Sequence, residues 1–121
     1  LSRDEKIAFL ASLTVFSVPA LYGEAFGLYL LEAMAAGVPV VQPRHAGFPE
    51  AVGMTNGGVL CEPGDVQALA DGIEKLLRDP EQRRHHAECG QRAVHEQFSV
   101  ELVARNLARL IEALPPPGGL V

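Results

Sequence analysis

Short apolar runs alternate along the chain with longer segments in which apolar residues recur at helical spacing. The runs at residues 13–18, 38–41 and 57–61 lack polar alternation, which predicts three strands that are covered on both faces. The apolar spacing predicts helices at residues 2–11, 27–36, 65–78, 81–97 and 99–114, and a further turn at 49–52. This order predicts an α/β fold: a partial Rossmann-like domain with a three-stranded parallel sheet flanked by helices.

Residues at the predicted helix ends support these boundaries. Ser2 and Glu5 have the spacing of a capping box, and Asp65 is placed to cap the helix that follows it. Gly37 predicts a left-handed end for the second helix, and Pro80 suits the first position of a later one.

The C-terminal part of the chain divides into a helix and a tail. The helix carries an apolar stripe from Leu102 to Leu114, which we expect to pack mainly on the core and in part against another domain. Residues 115–121 are rich in Pro and Gly and predict a flexible tail. We therefore assign residues 1–114 to the Rossmann-like domain.

Composition narrows the class of protein. A chain of 121 residues suits one compact domain, and its net charge of −5 without a basic patch argues against a nucleic-acid partner. Cys61 and Cys89 form no CxxC pair and the histidines show no metal-ligand spacing, so we interpret the cysteines as free thiols. Without a signal peptide or a long apolar segment, a cytoplasmic location is expected, with peripheral membrane association possible for a longer parent protein.

Two features indicate that the domain is incomplete. The chain begins Leu-Ser-Arg-Asp without Met, inside a helical pattern, and we interpret it as a piece of a larger protein. The strand predicted at residues 13–18 would also have a bare edge, because a parallel sheet of this kind usually has more strands. A homo-oligomer formed through that edge is therefore one expected partner arrangement.

Candidate chemistry is concentrated where the first predicted strand leads into the second helix. Ligands of open parallel sheets bind beyond the carboxyl ends of the strands, and the amides of Gly27 and Leu28 in a first helical turn attract anions. Glu24 and Glu32 lie on either side and could accept hydrogen bonds from sugar hydroxyls. Glu32 could instead be a solvated helix residue, but it is the only charged residue from Phe26 to Val41, which favours a ligand.

The segment at residues 24–41 reads Glu-Ala-Phe-Gly-Leu-Tyr-Leu-Leu-Glu-Ala-Met-Ala-Ala-Gly-Val-Pro-Val-Val. With seven residues between its two glutamates, it resembles the motif of family 4 retaining glycosyltransferases, also called glycosyl transferases group 1. Further similarity extends over residues 1–114 and includes the turns at 47–50 and 58–65. The resemblance implies the GT-B architecture, in which two Rossmann-like domains face each other across a cleft, and places this chain in the C-terminal part of the donor-binding domain.

The resemblance also implies roles for single residues. Glu24 matches the acid that contacts the transferred sugar, and Glu32 matches the acid that binds the ribose hydroxyls of the nucleotide. Phe26, Gly27 and Leu28 match the residues whose backbone amides face the sugar and the diphosphate. The implied reaction moves a hexose from a nucleotide diphosphate sugar to an acceptor hydroxyl. It uses no cofactor and no metal, and no Asp-x-Asp triplet is present.

The chain departs from the family pattern in the loop after the second predicted strand. The family often has two glycines there, whereas this chain has Ala46 before Gly47. His45 and Gly47 are candidate sugar contacts, although His45 also suits a surface loop. No residue matches the Arg and Lys that bind the diphosphate in the family, and the N-terminal acceptor-binding domain is absent. The isolated chain is therefore expected to be inactive.

Two other functions remain open at this point. One is a nucleotide-sugar epimerase with the same GT-B architecture, which would need proton-transfer groups around the sugar. The other is a non-catalytic module that binds a nucleotide or only associates with another protein. The pair of glutamates favours glycosyl transfer over both.

Overall fold

A computed structural model describes residues 2–21 and 27–113 of the chain. Its elements, in chain order, are α1 (Arg3–Ala11), α2 (Leu28–Ala35), β1 (Val40–Pro43), α3 (Phe48–Thr55), β2 (Gly58–Cys61), α4 (Val66–Arg78), α5 (Pro80–Gln97) and α6 (Val100–Ala113). The predicted tail at residues 115–121 lies outside the described residues.

The sheet is parallel, but a third strand is not confirmed. Among the described residues, β1 and β2 pair in register from Val40 with Gly58 to Pro43 with Cys61. The segment at residues 13–18 joins them only through one parallel bridge, between Phe16 and Val40.

Pro43 explains why the third strand stops. The Phe16 amide donates to the Pro39 carbonyl at 3.0 Å, and the Val41 amide donates to the Phe16 carbonyl at 3.0 Å. The next rung of a parallel ladder would need the amide N–H of residue 43, which proline lacks. The side chain of Gln42 replaces that rung: its Oε1 accepts from the Val18 amide at 2.7 Å, and its Nε2 donates to the Val18 carbonyl at 2.8 Å.

Helices cover both faces of this small sheet. Val40 belongs to a buried cluster with Leu30 and Met34 of α2 and Phe48 of α3. On the other face, α4 approaches Val41 so closely that a Cβ on Gly72 would lie 3.0 Å from a Val41 methyl group. This arrangement agrees with the predicted parallel α/β architecture.

Most predicted helix ends are confirmed. The Ser2–Glu5 capping box is present, Asp65 caps α4, Gly37 follows α2 with φ of +79°, and Pro80 is the first residue of α5. The turn predicted at residues 49–52 is a longer helix, α3, and the strand predicted at 38–41 begins two residues later.

The expectation that the stripe of α6 packs mainly on the core is wrong for its described members. Leu107, Leu110 and Ile111 are exposed, so no apolar surface of the described residues covers these three side chains.

Candidate functional site

The residues predicted to form the site fall into three groups. Glu24 and Phe26 lie outside the described residues. Gly27, Leu28 and Glu32 belong to α2 and its N-cap. His45 and Gly47 belong to the loop between β1 and α3, which leaves the carboxyl end of the sheet.

Gly27 begins α2 in a conformation that favours glycine. It is the N-cap residue, has φ of +73°, and has no side chain to accept a hydrogen bond from the first turn. A Cβ at this position would lie 3.1 Å from Cε1 of Phe48. The position therefore disfavours a side chain, mainly because of its positive φ and also because the Phe48 ring would have to shift.

The N-terminus of α3 is adjacent and also lacks a side-chain cap. Its N-cap is Gly47, and the preceding Ala46 has φ of +51°. Two backbone hydrogen bonds between residues close in sequence hold the loop. The His45 amide donates to the Pro43 carbonyl at 2.8 Å, and the Phe48 amide donates to the His45 carbonyl at 3.1 Å. Because Phe48 is the first residue of α3 and touches Gly27, the two glycine-capped helix starts are neighbours.

The N-cap residue of α2 makes no side-chain hydrogen bond, so the first turn of α2 can offer backbone amides and the positive end of the helix dipole to a ligand. The start of α3 offers less, because the Phe48 amide donates to the His45 carbonyl, Pro49 has no N–H, and Glu50 places a carboxylate in the first turn. Leu28, in the first turn of α2, is 68% exposed, so a ligand can approach this turn. The arrangement suits a diphosphate or another oxyanion.

Glu32 lies one helical turn after Leu28 on α2 and is half-buried. Its carboxylate is held by Lys6 of α1, whose Nζ lies 3.3 Å from Oε1 and 3.2 Å from Oε2. Glu32 is therefore not a freely solvated helix residue. It presents an oriented carboxylate next to the exposed start of α2.

His45 is turned inward more than a surface-loop residue would be. Its Nε2 is buried and has no hydrogen-bond partner among the described residues. A buried ring nitrogen without a partner is costly. This favours the interpretation of His45 as a ligand contact over its interpretation as a surface-loop residue.

Sequence reasoning missed two polar residues that shape this region. Gln42 is fully buried, and its side-chain amide pairs with the backbone of Val18, three residues before Leu21. Lys6 pairs with Glu32 from a different helix. The position of Pro43 could have indicated the role of Gln42, because proline ends the ladder of backbone hydrogen bonds. Nothing in the local sequence around Lys6 indicates its pairing with Glu32.

A separate cavity of about 160 Å³ lies between the ends of the two strands and the start of α4. Its mainly apolar wall includes Pro19, Pro43, Cys61 and Leu69, but none of the candidate site residues. Burial raises the pKa of the Cys61 thiol, with smaller contributions from the nearby carboxylates of Asp65 and Glu62. This thiol therefore stays protonated at neutral pH.

Two further observations limit the kind of site. Within residues 2–21 and 27–113, no group of three or more His, Cys, Asp or Glu side chains is placed to hold a metal ion. In the same ranges, no helix has both the length and the apolar character needed to span a membrane.

The fold and this site define a Rossmann-like module with a candidate oxyanion-binding edge. Comparison with known proteins identifies it further: the chain belongs to the family Glycosyl transferases group 1, which it matches over residues 1–93. It is 38% identical over 103 residues to N-acetyl-alpha-D-glucosaminyl L-malate synthase of Bacillus anthracis, covering 85% of this chain and 27% of that enzyme.

Solved structures agree with this assignment. Sucrose-phosphate synthase from Thermosynechococcus elongatus is similar with a TM-score of 0.83 and 31% identity, over 93% of this chain and 28% of that one. HepE from Anabaena, solved in complex with UDP and glucose, is similar with a TM-score of 0.80 and 27% identity, over 88% of this chain and 29% of that one. The expected family and its GT-B type of fold are thus confirmed. The chain spans about a quarter of the curated relatives' length, 27% of the first.

Proposed function

We propose that this chain is the donor-binding portion of a retaining glycosyltransferase that moves a hexose from a nucleotide diphosphate sugar to an acceptor hydroxyl. The observation that carries the proposal is the glycine-capped start of α2 at Gly27, beside the start of α3, with the oriented carboxylate of Glu32 one turn further along α2. Such a site offers amides to a diphosphate and a hydrogen-bond acceptor to hydroxyl groups.

The comparisons support this choice of ligand. HepE, one of the similar solved structures, was solved with UDP and glucose. A donor of that class contains a diphosphate, a ribose with two hydroxyls and a sugar. The surface at α2 and α3 offers backbone amides to the diphosphate and the Glu32 carboxylate to the ribose hydroxyls.

The proposed roles follow the order of groups in the donor. The amides of Phe26, Gly27 and Leu28 face the sugar and the diphosphate, and Glu32 accepts hydrogen bonds from the ribose. Glu24 contacts the hydroxyls of the transferred sugar, and His45 and Gly47 border the same sugar from the loop after β1.

Catalysis in this proposal is electrostatic. When the bond from the anomeric carbon to the diphosphate breaks, negative charge develops on the departing phosphate oxygens. The N-terminal amides of α2 and the positive end of its dipole stabilise that charge more strongly in the transition state than in the ground state. We propose that neither a metal nor a cofactor is needed, and that an acceptor-binding domain of a longer protein supplies the other side of the cleft.

Binding of nucleotides to the 121-residue chain tests the proposal. We would use ligand-observed NMR with UDP-, GDP- and ADP-linked sugars and compare the wild type with Glu32→Ala. A signal for one nucleotide that Glu32→Ala loses would support the site. A matched control is Glu88→Ala, which removes an exposed carboxylate on α5 and should leave the signal unchanged. Equal signals from the wild type and Glu32→Ala would contradict the proposal.

A further inference from the structure

One contact near the proposed donor site joins two helices that are far apart in sequence. The Lys6 ammonium lies 3.3 Å from Oε1 and 3.2 Å from Oε2 of Glu32, so that one cation contacts both oxygens of the carboxylate. The Lys6 and Glu32 side chains keep 49% and 42% of their accessible surface. A ligand can therefore reach the carboxylate while the ion pair is intact.

The helix that carries Lys6 is capped at its start and packs on the core near its end. At its start, Ser2 Oγ accepts from the Glu5 amide at 3.1 Å, and a Glu5 carboxylate oxygen accepts from the Ser2 amide at 2.6 Å. The hydrogen bond from the Ser2 amide lowers the pKa of the Glu5 carboxyl group, with a smaller contribution from the Ser2 side chain. One turn after Lys6, on the same face, Leu10 is buried in the core. Lys6 is thus presented to Glu32 from a capped helix that Leu10 holds against the core.

We propose that Lys6 is a positioning residue that orients the Glu32 carboxylate for the two ribose hydroxyls of the nucleotide; this inference rests on the proposed function. An ionised carboxylate has about four lone-pair sites, two on each oxygen. The ammonium donates to Oε1 and lies 3.2 Å from Oε2, which leaves acceptor sites open on both oxygens. Two acceptor sites held side by side match a pair of neighbouring hydroxyls.

Lys6 also changes the electrostatics of the site. Glu32 lies one turn from the start of α2, where the diphosphate is proposed to bind, and an unpaired carboxylate there would repel that anion. The Lys6 charge offsets the Glu32 charge, so the carboxylate can accept hydrogen bonds with less repulsion of the phosphates. Without Lys6, the flexible Glu32 side chain would lose both its orientation and this compensation.

The test compares nucleotides that differ only in the ribose. Isothermal titration calorimetry would give the Kd of UDP, GDP and ADP and of their 2′-deoxy forms, for the wild type, Lys6→Met, Lys6→Arg and Glu32→Ala. A hydrogen bond to a charged group predicts that the wild type prefers the ribonucleotide by roughly tenfold. An exposed ion pair predicts that Lys6→Met reduces this preference to about threefold, while Lys6→Arg retains most of it.

The outcomes separate the inference from the function on which it rests. A loss of ribose preference in Lys6→Met, with normal preference in the control Lys75→Met on α4, supports the positioning role. A purely structural role for Lys6 would weaken both forms of the nucleotide equally and overturn the inference, as would an unchanged preference. Equal affinities of the wild type and Glu32→Ala would instead contradict the proposed function.

Discussion

Two kinds of helix start occur at the carboxyl edge of the sheet. The helices α2 and α3 begin at Gly27 and Gly47 and have no side-chain cap. The helix α4 begins at the same edge, after β2, but Asp65 caps its first turn. Oδ1 of Asp65 accepts from the Ala68 amide at 2.9 Å. An intramolecular carboxylate thus already occupies the position that an external anion would take at α4.

This difference shows that position in the fold does not by itself make an anion site. All three helices start where open parallel sheets bind ligands, yet of their N-cap residues only Asp65 of α4 has a side chain that accepts from the first turn. Glycine leaves this position open at α2 and α3, and α2 is the better anion site because at α3 Pro49 has no N–H and the Phe48 amide donates to the His45 carbonyl. Substitutions at Gly27 and Asp65 change one kind of helix start at a time.

The largest effect is expected for Gly27→Ala at the start of α2. A non-glycine residue with φ of +73° is strained by about 1–2 kcal/mol, and its Cβ would also lie 3.1 Å from Phe48. The start of α2 should shift, and nucleotide affinity should fall roughly tenfold or more because charge-assisted hydrogen bonds from its amides weaken. Calorimetric titration and thermal unfolding measure the two effects.

Gly64→Ala provides a matched control for this change. Gly64 has a similar φ of +76°, but a Cβ there meets no atom within 4 Å, and it lies in the turn before the capped helix α4. It should lose comparable stability from backbone strain and keep its nucleotide affinity. If both variants lost affinity equally, the start of α2 would have no special role.

The starts of α2 at Gly27 and of α4 at Asp65 could be predicted because their causes are local, whereas the start of α3 at Gly47 was not predicted. Gly27 and Asp65 stand immediately before apolar helical patterns, and residues of these types have well-defined preferences at such positions. The same holds for Gly37, whose left-handed conformation ends α2 as expected.

Contacts between distant segments could not be predicted in this way. Lys6 meets Glu32 across 26 residues, and Gln42 meets Val18 across 24, and no periodic pattern connects either pair. The error in strand count has the same origin. The apolar run at residues 13–18 has strand-like composition, but its pairing depends on which N–H groups its neighbour can offer.

A second prediction concerns Gln42, which fixes the segment leading from Phe16 toward α2. Gln42→Leu would keep a similar volume but leave the Val18 amide and carbonyl without their partner. Since these groups are partly buried, the free energy of unfolding should fall by about 2 kcal/mol. Chemical denaturation measures the change.

The control for Gln42→Leu is Gln67→Leu on α4. Gln67 is exposed, and its amide donates only to Asp71 one turn along the same helix. Its replacement should alter stability by no more than about 0.5 kcal/mol. Equal losses from the two variants would show that the pairing of Gln42 with Val18 contributes nothing specific.

The smallest effect is expected for Asp65→Ala at the capped start of α4. Loss of an N-cap should lower the free energy of unfolding by about 1 kcal/mol and leave nucleotide affinity unchanged, because α4 is not part of the proposed site. The change should also lower the raised pKa of Cys61, because one of the carboxylates that oppose thiolate formation is removed. Iodoacetamide should then alkylate Cys61 faster at pH 8, where a larger fraction is thiolate.

Asp79→Ala separates the loss of stability from the change in the pKa of Cys61. Asp79 caps α5 in the same way, with Oδ1 accepting from the Gln82 amide at 3.1 Å, and it is not among the groups that shift the pKa of Cys61. It should cost similar stability and leave the alkylation rate of Cys61 unchanged. A loss of nucleotide affinity in Asp65→Ala, without one in Asp79→Ala, would mean that α4 also contributes to the site. The distinction between glycine-capped and aspartate-capped starts would then fail.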